Sequence, residues 1–162
     1  MMMPASAALW FLPFVLPICI WVAWSDLATM KIPNKAVAAL ILVYLVVGLI
    51  ALPFSQWAWQ LVHFAVVLAV GFILAIVRVL GAGDAKFAAA AAPFIMVADL
   101  VNLMAIFAIC TIIGFATHRI ARVTPFRKLT PNWESWERTR DFPMGYPLAG
   151  TLLIYLLAAV FY

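Results

Sequence analysis

Long apolar runs separated by short polar segments make up most of this chain. The six runs cover about residues 5–25, 36–52, 60–80, 85–98, 100–117 and 146–162. A helix needs about 20 mostly apolar residues to cross a bilayer, so the pattern predicts six transmembrane helices, with a short fourth one. Pro13 and Pro17 predict a kink in the first helix. That run lacks a basic start and a small-residue cleavage site before Asp26, so we interpret it as a retained span rather than a signal peptide.

The composition supports an integral membrane protein. Of the 162 residues, 69% are hydrophobic and 10% are charged, whereas soluble domains are about 45–50% apolar and about 25% charged. We therefore predict an all-α bundle of six transmembrane helices, a single domain over residues 1–162 with a cytoplasmic loop at 118–145. Cys19 and Cys110 lie within apolar runs without a Cys-x-x-Cys spacing, so no metal, disulfide or cofactor is predicted.

The basic residues alternate between the connections of the predicted helices. All ten lie in the first or fifth connection or flank the third: Lys31, Lys35, Arg78, Lys86, Arg119, Arg122, Arg127, Lys128, Arg138 and Arg140. The positive-inside rule places these connections in the cytoplasm and both termini outside. Because the net charge of +4 comes from short loops between apolar runs, nucleic acid is not an expected partner.

The segment GAGDAK breaks the apolar pattern between the third and fourth runs. It contains Gly81, Gly83, Asp84 and Lys86. Glycine permits a sharp turn, and an ionisable residue at membrane depth suggests a functional site. The alternative is that the glycines end the third helix and Asp84 caps the fourth, since Asp is a favoured capping residue. The alanine-rich sequence that follows would let helices approach closely.

A second carboxylate, Asp26, follows the first apolar run. Pro33 and Asn34 come shortly after it and predict a turn and a helix start. By itself Asp26 could be a solvated residue at a helix end. The predicted topology, however, places it on the same membrane side as Asp84. Two carboxylates a few Å apart share one proton, and such a pair can act as base and acid in peptide hydrolysis.

The remaining polar residues indicate other roles. His63 is expected on the opposite membrane side from the two carboxylates, and Asp99 is expected to cap an outer turn. His118 is expected at the surface, next to the basic loop. We favour the interpretation that this loop binds anionic lipid. The alternative is that it forms a substrate-docking surface, in which Glu134, Glu137 and Asp141 would add negative charge near the Asp pair.

Together these motifs resemble the type IV prepilin peptidases, which are membrane aspartyl proteases of the GxGD type. The resemblance covers Asp26 with Ile32, Pro33 and Asn34 downstream, then the motif from Gly81 to Lys86. It extends to a Pro/Gly-rich segment, PMGYP, before the last apolar run. It implies that Asp26 and Asp84 are catalytic and that Gly81, Gly83, Lys86, Pro33 and Asn34 support them.

The resemblance also implies a substrate and a location. The expected substrate is a prepilin whose short basic leader is cleaved at the cytoplasmic face of the bacterial inner membrane, just before its hydrophobic helix. The chain lacks the N-terminal cysteine-containing segment of the larger, methylating members. It is therefore similar to the small peptidase-only form associated with Flp or tight-adherence pili. Methyl transfer is not expected, and membrane lipid is the other expected partner.

Two other functions remain open on the sequence. A small ion- or proton-coupled transporter would also need carboxylates in the membrane. A non-catalytic membrane subunit of a pilus assembly machine would need no catalytic pair. The transporter predicts flux without proteolysis, and the subunit predicts that Asp84→Asn still supports assembly.

Overall fold

The fold is taken from a computed structural model, which describes residues 2–138 and 141–161. Six helices dominate it: α1 (Ala5–Thr29), α2 (Asn34–Ala51), α3 (Phe54–Ile76), α4 (Ala82–Ala91), α5 (Leu100–Val123) and α6 (Gly145–Phe161). Short 3-10 turns follow α4, precede α5 and lie between α5 and α6. Within the described ranges there is no strand, so the all-helical prediction is confirmed. Arg140 and Tyr162, used in the predictions above, lie outside these ranges.

Several predicted helix boundaries were wrong. α3 begins at Phe54 rather than near residue 60, so residues 54–59, which include Trp57 and Trp59, belong to the helix and not to the predicted second connection. Pro53 precedes the helix, where its missing N–H costs nothing. α5 continues to Val123, because the apolar pattern fades over its last turns without a helix-breaking residue.

Four segments are long and apolar enough to cross a membrane: Ala5–Thr29, Asn34–Ala51, Phe54–Ile76 and Val97–Val123. The apolar helix α6 is somewhat shorter. The predicted fourth span is different, because α4 has ten residues and is about 15 Å long. Pro93 lies in the 3-10 turn that follows it, and proline cannot continue the helical hydrogen bonding. The fourth apolar run is therefore a broken helix rather than a continuous span.

The helices pack around α1 and α6, which share the most extensive contact. α2 also packs on α1, α5 packs on α6, and α4 lies against α2, α3 and α6. Three buried rings join α1, α2 and the segment after α4: the centroid of Phe94 is 4.9 Å from that of Phe11 and 5.3 Å from that of Tyr44. These edge-to-face pairs are a favoured aromatic geometry.

α3 packs closely on α4 through a glycine. A Cβ built on Gly71 would lie 3.0 Å from the Cβ of Ala85, so a larger residue would push the two helices apart. Gly71 and Gln60 are the only buried residues of α3. Most of this helix therefore presents apolar side chains outward, as expected for a helix in contact with lipid.

Asp99 joins the N-terminal segment to α6. Its carboxylate accepts hydrogen bonds from the backbone N–H of Met2 at 2.9 Å, the N–H of Met3 at 3.3 Å and the hydroxyl of Tyr155 at 2.8 Å. Asp99 precedes α5 but makes no side-chain capping bond. Its role is thus structural, as expected, although it connects segments instead of capping a turn.

Candidate active site

Asp26 lies in the last turn of α1, and its side chain is buried. The sequence pattern predicts a position after the first helix, but α1 continues to Thr29. The helix ends at Met30, which has a left-handed conformation and donates its N–H to the Asp26 carbonyl at 2.9 Å. The carboxylate atom Oδ2 of Asp26 accepts a 2.7 Å hydrogen bond from the N–H of Gly145 at the start of α6. This bond offsets part of the cost of burying the carboxyl group.

Asp84 is the third residue of α4. Gly81 occupies the N-cap position, and no side chain caps the helix, so the interpretation of Asp84 as the N-cap is wrong. A Cβ built on Gly81 would lie 2.6 Å from Oδ2 of Asp84. The Asp84 carboxyl group therefore occupies the space that a side chain at position 81 would need. A negative charge in the first turn is also favoured by the helix dipole.

Ile32 lies between the two aspartate-bearing segments. A Cβ on Gly83 would be 3.5 Å from the Cβ of Ile32, and a Cβ on Gly145 would be 3.0 Å from its Cδ1. Ile32 thus fills the gap between the start of α4 and the start of α6. The start of α6 is where Gly145 donates its hydrogen bond to Asp26. Its side chain acts as a spacer between the two motifs.

The supporting residues predicted near the pair fall into two groups. Lys86 donates a hydrogen bond from Nζ to Oδ1 of Asn34 at 3.4 Å, which joins α4 to α2. Pro33 precedes α2, and its carbonyl accepts the N–H groups of Ala36 and Val37. Pro33 is therefore the N-cap residue of α2, and it does not line the cavity.

Both aspartates line one cavity of about 550 Å³. Six of the seven predicted site residues contribute to its wall: Asp26, Asp84, Gly81, Gly83, Lys86 and Asn34. A cavity of this size admits water and a segment of extended peptide. The structure therefore brings together two carboxylates that are 58 positions apart in the sequence.

The electrostatic environment of Asp84 favours its protonated form. Asp84 lies outside the four long spanning helices. Burial, and then the negative charge of Asp26, raise the pKa of Asp84 to about 6. Two neighbouring carboxyl groups resist simultaneous ionisation. The pair can thus hold one proton close to neutral pH, and the two groups titrate as a unit.

The segment before α6 contributes five cavity residues, and the sequence interpretation had suggested only Asp141 among them as a neighbour of the Asp pair. Arg138, Asp141, Phe142, Pro143 and Met144 all line the cavity. The PMGYP segment was noticed in the sequence, but no contact with Asp26 could be inferred from it. Asp141 was one of three acids considered for a docking surface, and it does lie at the cavity.

The other two acids of that hypothesis are placed differently. Neither Glu134 nor Glu137 is part of the cavity wall. Glu134 forms a 2.9 Å ion pair with Arg138, which also lies 3.8 Å from Asp141. These pairs are largely exposed, and exposed ion pairs contribute little to stability.

Stacked aromatic rings hold the connection between α5 and α6 against the helices. His118 is buried, contrary to the prediction of a surface position, and its ring stacks on Trp136 with centroids 4.9 Å apart. Phe142 packs edge-on against His118 at 5.9 Å. Trp133 stacks on Trp136 and contacts Trp24 of α1 at 5.0 Å. The cavity residues 141–144 are therefore carried by a packed segment.

A comparison with sequence families gives a match over most of the chain. The model of the type IV leader peptidase family matches residues 13–117. This range includes Asp26, Asp84 and the five residues predicted to support them. A search of curated proteins and a search of solved structures gave no significant match.

Proposed function

Because the chain belongs to the type IV leader peptidase family, we propose that it is a membrane aspartyl endopeptidase that removes the leader of Flp-type prepilins. The observation that carries this proposal is the cavity lined by both Asp26 and Asp84. The cavity lies at the end of α1 and the start of α4, and its volume of about 550 Å³ supports access of water and an extended peptide to the two carboxyl groups.

The pair supplies an acid and a base for hydrolysis. Hydrogen bonding to the N–H of Gly145 fixes Oδ2 of Asp26, so the orientation of this carboxyl group does not depend on substrate. The ionised member of the pair takes a proton from a water molecule, and the oxygen of that water attacks the scissile carbonyl carbon. The protonated member donates to the carbonyl oxygen, and a proton then passes to the leaving nitrogen as the C–N bond breaks. No separate nucleophile is required.

The proposed cleavage site is at the cytoplasmic face of the bacterial inner membrane. This placement is supported by the basic residues Lys31, Lys86 and Arg138, which line the cavity and belong to connections that the positive-inside rule assigns to the cytoplasm. Both termini are then outside. Because these cations offset the acids of the cavity, we do not propose selection of a basic leader by charge alone.

The proposed chemistry is peptide hydrolysis without methyl transfer. The substrate is a prepilin with a short leader and a hydrophobic helix, and the cellular role is pilus biogenesis or secretion. The matched family supports leader peptidase activity, whereas the Flp-type substrate follows from the sequence resemblance described above.

Co-expression with a candidate Flp-type prepilin tests this function. A gel shift reports loss of the leader, and the mass of the mature pilin reports whether a methyl group was added. We expect cleavage by the wild-type chain, no cleavage by Asp84→Asn or Asp26→Asn, and an unmethylated product. Asp141→Asn, which removes an exposed carboxylate at the same cavity, is the matched control and should still cleave.

The same experiment separates the alternatives. Normal processing by Asp84→Asn would contradict the catalytic assignment and return Asp84 to a structural role. If the wild-type chain cleaves none of several prepilins but conducts ions or protons in vesicles, the transporter alternative replaces the proposal.

A further inference from the structure

A second concavity lies in the apolar part of the molecule, beyond the aspartate cavity. It has a volume of about 440 Å³, and α3, α4, α5 and α6 line it. α3 packs on α4, α4 on α6 and α6 on α5, so α4 and α6 form the floor and α3 and α5 the sides. Almost all of the lining is apolar, and no Asp, Glu, Lys or Arg contributes to it.

The groove and the aspartate cavity share one face of α4. Ala88 and Ala91 line the groove, and they lie four and seven residues after Asp84. Residues at these spacings lie on the same side of a helix. Ala88 is about 6 Å along the helix axis from Asp84. The groove therefore begins within about one turn of the proposed catalytic pair and leads away from it.

The floor of the groove fits a helix better than a disordered chain. The side chains that Ala88, Ala91 and Ala92 contribute to the floor are small, and small residues allow close approach between helices in membranes. Val66 of α3 and Met104 of α5 stand at the sides and are more than half exposed. The volume accommodates a few large side chains from one face of an incoming helix.

We propose that this groove binds the apolar helix of the prepilin, immediately after the leader. The inference rests on the proposed function and adds the part of the enzyme that positions the substrate. The substrate changes from a polar leader to an apolar helix at the scissile bond. The enzyme changes in the same order along α4, from the polar cavity at Asp84 to the largely apolar groove lined by Ala88 and Ala91. A helix seated in the groove would present its N-terminal end to the aspartate pair.

Site-specific photo-cross-linking tests the location. A photoreactive benzoyl-phenylalanine is placed at Val66 or Met104 in the Asp84→Asn chain, which retains uncleaved prepilin. Leu68 and Ile109 are control positions on the same two helices, since both are exposed but lie outside the groove. Met104 and Ile109 are matched closely, with exposures of 56% and 55%. We expect about tenfold more cross-linking to prepilin from the groove positions.

Cleavage by the chain without these changes is measured in parallel. If it cleaves and the control positions cross-link to prepilin as strongly as the groove positions, the groove assignment is overturned while the proposed function stands. Cross-links from the groove only to lipid, or only to a second copy of this chain, also overturn it. If no cleavage occurs, the proposed function itself has failed.

A kinetic experiment provides an independent readout. Met104→Trp fills the groove and should raise KM for full-length prepilin about tenfold with little change in kcat. Cleavage of a short peptide that spans the scissile bond but lacks the apolar helix should be unchanged, and Ile109→Trp should behave like wild type with both substrates. Equal effects of Met104→Trp on the two substrates would refute a role in binding the helix.

Discussion

The position of Asp26 depends on a glycine that is 119 residues away in the sequence. Gly145 donates its N–H to the carboxylate, and a Cβ at this position would lie 2.9 Å from Oδ2 and 3.0 Å from Cγ of Asp26. The close approach of α6 to the carboxylate therefore requires the absence of a side chain. In the proposed mechanism Gly145 is a positioning residue, because its contact is with Asp26.

We predict that Gly145→Ala lowers kcat by about 10²-fold, since a displacement of about 1 Å at a reacting group has effects of this size. Single-turnover cleavage of prepilin measures the change. Gly150→Ala is the matched control on the same helix, because its added Cβ would meet its nearest neighbour, Sγ of Cys110, at 3.9 Å. Equal activities of the two variants would show that the close contact at Asp26 is unimportant.

The proton shared by the carboxylate pair predicts a pH dependence. Burial and the charge of Asp26 raise the pKa of Asp84 to about 6 from its ordinary value of 3.8, so the pair keeps this proton below about pH 6 and loses it above. Because one group must remain protonated to act as the acid, kcat/KM should fall towards tenfold per pH unit above this value.

Measurement of kcat/KM for the purified enzyme between about pH 5 and 9 checks this predicted fall. The Asp141→Asn control should retain the same profile, because Asp141 is exposed and takes no part in the proposed proton transfer. A profile that is flat over this range would contradict a shared proton with a pKa near 6.

The sequence was sufficient to select the two aspartates as candidates, because polar groups at the ends of apolar runs are conspicuous. It was not sufficient to show what orients them. The contact between Gly145 and Asp26 and the spacer role of Ile32 depend on how α1, α4 and α6 pack. Residues that far apart in the sequence have no spacing that indicates contact.

Among the elements, the connection between α5 and α6 is more ordered than its polar composition indicated. Trp136 stacks on His118 of α5 and on Trp133, and its indole N–H donates to the Thr130 carbonyl at 2.8 Å. The same connection supplies residues 141–144 to the cavity wall. The aromatic stack therefore couples the packing of this segment to the shape of the site.

Trp136→Ala should loosen the connection and expose it to protease. Loss of a buried Trp side chain lowers the free energy of unfolding by about 3–5 kcal/mol. When a segment opens and closes fast relative to cleavage, the rate of proteolysis follows the population of the open form. We expect trypsin to cut after Arg127 or Lys128 at least about tenfold faster, with weaker prepilin processing. Phe126→Ala, at an exposed ring in the same connection, should leave both rates unchanged. A trypsin rate unaffected by Trp136→Ala would argue against this stabilising role.

Helix lengths were predicted less well than helix number. Hydropathy located all six helices, but it treated the fourth run as a span, whereas Pro93 and the 3-10 turn at Ala92–Phe94 interrupt it. The hydropathy pattern also predicted an end of α5 near residue 117, which is too early. The polar residue His118 suggested a connection there, but aromatic neighbours bury its ring. Local composition does not record such tertiary packing.

For the whole molecule, the charge distribution predicts an orientation in the membrane, and the packing groups the basic connections at one end of the bundle. The aspartate cavity is lined by residues of the first, third and fifth connections, so these connections meet at one end of the bundle. The N-terminal residues Met2 and Met3 instead contact Asp99. The positive-inside rule assigns the cavity end to the cytoplasm.

Labelling of single cysteines with a membrane-impermeant maleimide checks this orientation. Ser55→Cys should react from outside intact cells, whereas Lys128→Cys should react only after the membrane is opened. Both positions are exposed, and the native Cys19 and Cys110 are buried, so the unsubstituted chain provides the background control. Reaction of Lys128→Cys in intact cells would reverse the proposed topology.

Leader release by the purified chain in liposomes, where every host peptidase is absent, tests the catalytic pair most directly. We predict cleavage by wild type and a loss of at least about 10³-fold in both Asp26→Asn and Asp84→Asn, with Asp141→Asn near the wild-type rate. All four chains should give the same helical circular-dichroism spectrum and melting temperatures close to one another. Wild-type-like cleavage by either Asp26→Asn or Asp84→Asn would contradict the claim that these two carboxylates form the catalytic pair.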